Sequence, residues 1–279
     1  FLHDKIEFEI LFTCYDFTID NRINELKQYG FTNKEILQIK NHLKQFTNSI
    51  IDKFPIILNN CDKSIKSLTE NRESVNSNLK FKTDNYRNYI FAAEKLLKDC
   101  KKFGTLPFST MARISFISSI LMKSLPKNKK IPKNFVENFL RSIETPISNI
   151  QDDVESLSKH KISKNQFLKK YGHLRPGTYD ITVPRYDSEG KIFENLKFLK
   201  RTKPSKFSID NIPLNEIMNK HGLEFNQIDF LDFIRESIVQ RENLKFEFTK
   251  NLSDAIELIA KAGKKLGFSR YELAYLDIK

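Results

Sequence analysis

Asn226-Gln-Ile-Asp-Phe-Leu-Asp-Phe-Ile-Arg-Glu-Ser-Ile-Val-Gln-Arg241, running on through Leu244 and Phe248 towards Leu266, is the stretch that decides the fold. Its apolar residues recur at intervals of three and four, with charges between them. That is the period of a one-faced helix, not the alternation of a strand. The polar run Thr249 to Ser253 predicts one break in it. Working outward, Thr32 with Glu35 forms a capping-box pattern that opens a helix to about Phe54. The Ser-, Asn-, Lys- and Thr-rich stretch Asp62 to Asp84 reads as a polar connector with weak helix. Further helices are predicted over Tyr86–Lys102, Ser109–Leu125, Asn134–Lys159, Ser163–Lys170 and Pro213–Lys220. A second capping box, Ser269 with Glu272, starts a closing turn. Only Ile6 to Phe12, where apolar residues alternate with acidic or small ones, reads as a strand.

The expectation is therefore a mostly α, multi-helix domain with a small β element near the N-terminus. It covers residues 1–279, with a subdivision into 1–160 and 161–279 as an option. With 279 residues a substantial core is available. No internal repeat or low-complexity linker is read. The chain starts at Phe1, which suggests a piece of something longer. No secretory signal and no apolar run near the ~18 residues of a membrane span is read, so the expected location is the cytoplasm, without a membrane. Cys14, Cys61 and Cys100 lie far apart, without zinc spacing or an even count, which fits reduced thiols. The net charge of +12 invites nucleic acid, but Lys and Arg are interleaved with Asp and Glu. The nearest cluster is Lys127 to Lys133, and no nucleic-acid-binding motif accompanies it. A basic helical module that binds RNA or an acidic protein stays as an alternative.

Against this helical background one segment differs: Tyr171-Gly-His-Leu-Arg-Pro-Gly-Thr-Tyr-Asp-Ile-Thr-Val-Pro-Arg-Tyr186. It has the period of neither helix nor strand. Gly172 sits where a helix C-terminus favours a left-handed residue. Polar side chains held between prolines and glycines suit a ligand as well as an ordered turn. His173 is a candidate base or nucleophile, or a packing residue at a helix end; no metal-ligand spacing surrounds it. Arg175 and Arg185 flank Asp180, and two readings stand equal: an ion pair that pins the loop, or a guanidinium facing a phosphate or carboxylate. Tyr179 lies in the same run.

A second candidate is Gly104-Thr-Leu-Pro-Phe-Ser-Thr-Met-Ala-Arg113. Pro107 and Ser109 mark a helix N-terminus whose free N–H groups favour an anion. Thr105 precedes it, and Arg113 must face water, a carboxylate or a ligand. Arg241 and Lys245 share a helix face at i, i+4, with a solvated surface as the plain reading. Tyr15 and Asp16 close the first strand, where polar groups often face a cleft.

The loop Phe167-Leu-Lys-Lys-Tyr-Gly-His-Leu-Arg-Pro-Gly-Thr-Tyr-Asp-Ile-Thr-Val-Pro-Arg-Tyr186 resembles the YGH–R–G–YD–PR signature in the central domain of the phosphoenolpyruvate-utilising dikinases. That family includes phosphoenolpyruvate synthase and rifampin phosphotransferase. Phe12-Thr-Cys-Tyr-Asp-Phe17, Gly104-Thr-Leu-Pro-Phe108 with Ala112-Arg113, and Arg241-Glu-Asn-Leu-Lys-Phe-Glu-Phe-Thr-Lys-Asn-Leu-Ser-Asp254 resemble the same region, in order along nearly the whole chain. The members most similar are the glutamine kinases of capsular phosphoramidate synthesis. The resemblance implies an acceptor-binding domain of a three-part enzyme, with an ATP-grasp domain and a swinging phosphohistidine domain on the same polypeptide. ATP and Mg2+ belong to the full-length enzyme, and no cofactor or metal to this part. His173, Arg175 and Arg185 then have catalytic roles. Tyr15, Asp16, Thr105, Arg113, Tyr179, Asp180, Arg241 and Lys245 would bind the acceptor. L-glutamine is the favoured acceptor; pyruvate, a sugar or a sugar phosphate are the alternatives. Leu174 between His173 and Arg175, and Tyr186 where rifampin phosphotransferases tend to carry Trp, argue against a drug acceptor.

Overall fold

The structure is a computed structural model that describes residues 12–80, 84–125, 130–132, 134–188 and 212–276. Among the described residues the regular structure is all helix. The predicted strand falls, apart from Phe12, outside them, as do most of the Lys127 to Lys133 cluster and the stretch from Gly190 to Pro204. The helices are α1 (Ile19–Ile23), with a 3-10 turn Asn24–Tyr29 after it, α2 (Asn33–Lys80) and α3 (Tyr86–Asp99). A π-helical turn, Cys100–Thr105, leads into α4 (Leu106–Ser124). Next come α5 (Phe135–Ser142), α6 (Pro146–Ser158), α7 (Lys164–Tyr171), α8 (Leu214–His221), α9 (Gln227–Lys265) and α10 (Arg270–Leu273).

The residues form two compact units, each drawn from three separated segments. Unit 1 takes residues 1–59, 110–144 and 203–241; unit 2 takes 60–109, 145–202 and 242–279.

The predicted connector at Asp62–Asp84 is instead, from Asp62 to Lys80, the second half of α2, a helix of 48 residues; residues 81–83 lie outside the described residues. The reason is a narrow seam. Thr47, Phe54, Cys61, Leu68 and Val75 are buried at seven-residue spacing. Ile51, Leu58, Ile65 and Leu79 follow at the other seam position, where Arg72 stands in their series. Seven-residue spacing keeps one edge of a long helix against its neighbours, and the remaining positions are free to be polar. In unit 1 Phe54 meets Phe233 edge-on, ring centroids 4.8 Å apart. In unit 2 Leu68 packs with Phe248, and Val75 with Ala255 and Leu258.

The same logic removes the predicted break in the last long helix, which runs unbroken from Gln227 to Lys265. Phe248, Asn251, Ala255 and Leu258 all face inward. The polar run therefore interrupts composition but not the buried stripe.

Two other corrections concern helix ends. The single helix predicted over Asn134–Lys159 is two, α5 and α6. Thr145 caps α6 reciprocally with Ser148, and Pro146 takes its first position, where a missing N–H costs nothing. The predicted anion-binding N-terminus at Pro107–Ser109 is absent, because the π turn carries α3 into α4 and Leu106 bonds back to the Lys101 carbonyl. The backbone is tight there: a Cβ on Gly104 would lie 2.4 Å from the Phe248 Cβ. This continuity makes Tyr86–Ser124 a helical run long and apolar enough, by length and composition, to cross a membrane. Within unit 1 its apolar side chains Met111, Ile114, Ile117, Leu121 and Met122 are buried in the protein. Both predicted capping boxes are present. The Thr32 N–H donates to Glu35, and the Ser269 N–H to Glu272.

Candidate functional site

The candidate site is the loop that leaves α7 in unit 2. Ser163 caps α7 and is capped in return by Gln166. The helix turns Phe167 and Tyr171 inward, their ring centroids 4.7 Å apart. The Tyr171 hydroxyl donates to Asp153 at 2.7 Å, which also holds Lys170 at 2.8 Å.

Gly172 does not take the predicted left-handed conformation; its φ is −59°. Its requirement is space. A Cβ there would lie 2.4 Å from the Leu168 carbonyl and 2.9 Å from the Asp187 Cβ. The far end of the loop returns to this point. The Asp187 N–H donates to the Gly172 carbonyl and the Tyr186 N–H to that of Leu174, at 3.2 and 2.9 Å. The left-handed glycine in the loop is Gly177, φ +67°.

Arg175 is the loop's central tie, with a side chain only 1% exposed. One of its terminal nitrogens donates to the carbonyls of Asp180 and Val183, both at 3.2 Å. The other reaches the Ser253 hydroxyl at 3.0 Å, the Ser253 carbonyl at 3.3 Å and Glu257 at 3.0 Å. Burial pulls its pKa down, and Glu257 opposes that. Glu257 also holds Arg270 at 2.5 Å, and Arg270 donates to the Ile181 carbonyl at 2.9 Å. Arg185 makes a two-pronged pair with Asp187 at 3.0 and 2.7 Å and reaches Asp254 at 2.6 Å. Burial works against this guanidinium too, but Asp254 and Asp187 outweigh it and raise its pKa. Asp254 further accepts from Asn76 at 3.3 Å and faces Arg72 at 3.7 Å.

Of the two equal readings for Arg175, Asp180 and Arg185, neither arginine pairs with the Asp180 carboxylate. Arg175 takes its backbone carbonyl. The carboxylate accepts from the Thr182 hydroxyl and N–H at 2.6 and 2.8 Å, and these bonds, the hydroxyl first, lower its pKa. The arginines pin the loop through carbonyls and through α9.

His173 is different. Its carbonyl accepts from the Ser253 hydroxyl at 2.6 Å, and its ring stands edge-on to Phe246 at 4.9 Å. The ring is 7% exposed as a residue, and its Nε2 has no hydrogen-bond partner. Burial drives its pKa down to about 3, helped by the charges of Lys250, Arg185 and Arg72, while a bond to the Lys170 carbonyl opposes the shift. A ring nitrogen that donates to that carbonyl leaves Nε2 as the bare lone pair of a neutral imidazole. The arrangement supplies an uncharged hydrogen-bond acceptor, itself shielded from solvent, beside three cations.

The other predicted residues lie elsewhere. Tyr15 and Asp16, in unit 1, are buried. The Tyr15 hydroxyl meets His221 Nδ1 at 2.9 Å, and its N–H donates to Thr47 at 2.9 Å. Burial raises its pKa to about 12. Asp16 closes a turn onto Thr18, at 2.6 Å from its N–H. Arg113 is exposed and Arg241 half-buried in unit 1; Thr105, Tyr179 and Lys245 are exposed in unit 2. Thr105 donates to the Lys101 carbonyl at 3.0 Å. Among the described residues no hydrogen bond or ion pair joins Thr105, Tyr179 or Lys245 to His173, Arg175 or Arg185.

Sequence reasoning missed Arg72, Lys250, Ser253 and Glu257 as parts of this neighbourhood. Arg72 had a legible signal: it takes a seam position of α2 that Ile51, Leu58, Ile65 and Leu79 otherwise fill. No group of residues suited to a metal ion occurs among the described residues. Comparison with known proteins finds no family model, no curated protein and no solved structure that matches this chain.

Proposed function

We propose that this chain is the acceptor-binding part of an ATP-dependent phosphotransferase. In this reading a phosphohistidine on another domain delivers phosphate to a small metabolite, the side-chain amide of L-glutamine being the favoured acceptor. The observation that carries the proposal is the neutral His173, its Nε2 unpartnered among Arg72, Arg185 and Lys250, in the segment that resembles the dikinase signature. A neutral imidazole can accept a hydrogen bond from an amide N–H at neutral pH, which an imidazolium cannot. Cations held by fixed partners favour the charge on a transferring phosphoryl group without having to reorganise. In this scheme His173 is not the phosphate carrier. Arg175 positions the loop, and Arg185, Arg72 and Lys250 provide the positive field.

The test is calorimetric titration of the chain with L-glutamine, L-glutamate and pyruvate, repeated with His173→Asn. Saturable heat with L-glutamine alone, weakened in the variant, is the expected result. Equal heats for all three, or none, would overturn the glutamine assignment.

A further inference from the structure

Unit 1 carries a concave feature in which the loop takes no part. It is a groove of about 710 Å³ between the middle of α2 and the segment from Glu224 to Glu236 at the start of α9. Its apolar lining is Ile51, Phe54, Pro55, Leu58, Phe225 and Phe233. Phe54 and Phe233 form a buried edge-to-face pair, while Pro55 is exposed, and Leu58 and Phe225 are half-buried. Apolar surface is thus open to solvent along the groove. Pro55 also has no N–H to give the Ile51 carbonyl one turn back.

The rim is acidic. Asp52, Glu224, Asp229, Asp232 and Glu236 line it against one ammonium, Lys44. All five carboxylate residues are exposed. Lys44 lies over the Tyr15 ring at 5.3 Å, Asp232 is shared with Arg235 at 2.6 Å, and Asp229 accepts from Asn226 at 2.8 Å. This concentration of negative charge stands on a chain whose net charge is +12.

We propose that the groove docks a basic amphipathic peptide segment of a partner protein. Its apolar side chains cover Pro55, Leu58 and Phe225, and its Lys or Arg side chains meet the five carboxylates. The charge excludes nucleic acid, whose phosphates the rim repels. The lining residues on α2 run from Lys44 to Leu58, a length of about 21 Å at 1.5 Å per residue, which matches about four turns of a peptide helix laid in a groove. Half-exposed apolar side chains along that length favour a segment with its own apolar face over a cation that carries charge alone.

The experiment uses the whole chain and a fluorescently labelled peptide of leucine and lysine at helical spacing, about 14 residues long to match that length. A glycine–lysine peptide of equal charge and spermine are the controls. Fluorescence anisotropy should show saturable binding of the leucine–lysine peptide, weaker binding of both controls, and a decline with salt. Asp52→Lys with Glu236→Lys should weaken it at least about tenfold, and Leu58→Ala about threefold or more. Circular dichroism spectra should match the parent, since all three positions lie at the rim or are only half-buried. Parent-like affinity in the charge-reversed variant, or controls that bind as tightly as the leucine–lysine peptide, would overturn the proposal. So would a chain already dimeric through this face, seen as a mass halved by the same charge reversal.

Discussion

The loop of unit 2 and the groove of unit 1 use charge in opposite ways. In the loop the terminal nitrogens of Arg175 and the guanidinium of Arg185 are held by carbonyls and carboxylates of their own chain, while His173 Nε2 and Arg175 Nε are left unpartnered. In the groove the carboxylates stand exposed around an apolar floor. An arginine that satisfies three backbone carbonyls builds structure, whereas a rim carboxylate in water contributes little to it. Loop charges should therefore be read in stability and groove charges in binding.

The strongest way to break the comparison is Arg175→Ala. The carbonyls of Asp180, Val183 and Ser253 would lose this donor in a buried setting and Glu257 would keep only Arg270, at a cost of about 3–5 kcal/mol. Urea denaturation measures it, and a loss below about 1 kcal/mol would mean that the loop does not depend on this tie. Gly172→Ala comes next. The added methyl meets a backbone carbonyl, which cannot rotate away, so a cost near 3 kcal/mol is expected by the same method.

The third prediction concerns pH. The folded pKa of His173, about 3, lies below the unfolded value of about 6.5. As pH falls, the unfolded chain takes up the proton first. The contribution is fully present above pH 6.5 and is lost between there and pH 3. At pH 5 the parent should have lost about 2 kcal/mol more than His173→Asn, relative to pH 7.5. Parallel pH profiles would place a charged or solvated His173 in the loop. The smallest effect sharpens the contrast from the other side. Asp52→Lys with Glu236→Lys should change stability by no more than about 0.5 kcal/mol, as surface substitutions do.

Much of the helical fold was legible in the sequence. The capping boxes at Thr32 and Ser269 gave helix starts, and the period after Asn226 gave the last long helix. What failed was reading composition in place of spacing. Asp62–Asp84 is polar at most positions, but Leu68 and Val75 continue the seven-residue repeat of Thr47, Phe54 and Cys61. Thr249–Ser253 looked like a break because Asn251, fully buried in the stripe, is polar. The site was legible as a segment and less so as a geometry. His173, Arg175 and Arg185 could be chosen from their neighbours in the chain. Ser253 and Glu257 could not, since they reach the loop from α9 across long separations in sequence, and Arg72 was legible only as the charged member of the α2 seam. Gly172 was singled out for the wrong reason: its place is fixed by contact with Asp187 and not by its φ.

The proposed role of the loop depends most on a neutral His173 with an unpartnered Nε2. Nitrogen-15 spectra of the histidine ring, recorded near neutral pH with and without L-glutamine, test this directly. The account predicts an unprotonated Nε2 that shifts on saturation with L-glutamine and not with L-glutamate or pyruvate. A protonated ring, or a resonance indifferent to L-glutamine, would contradict it.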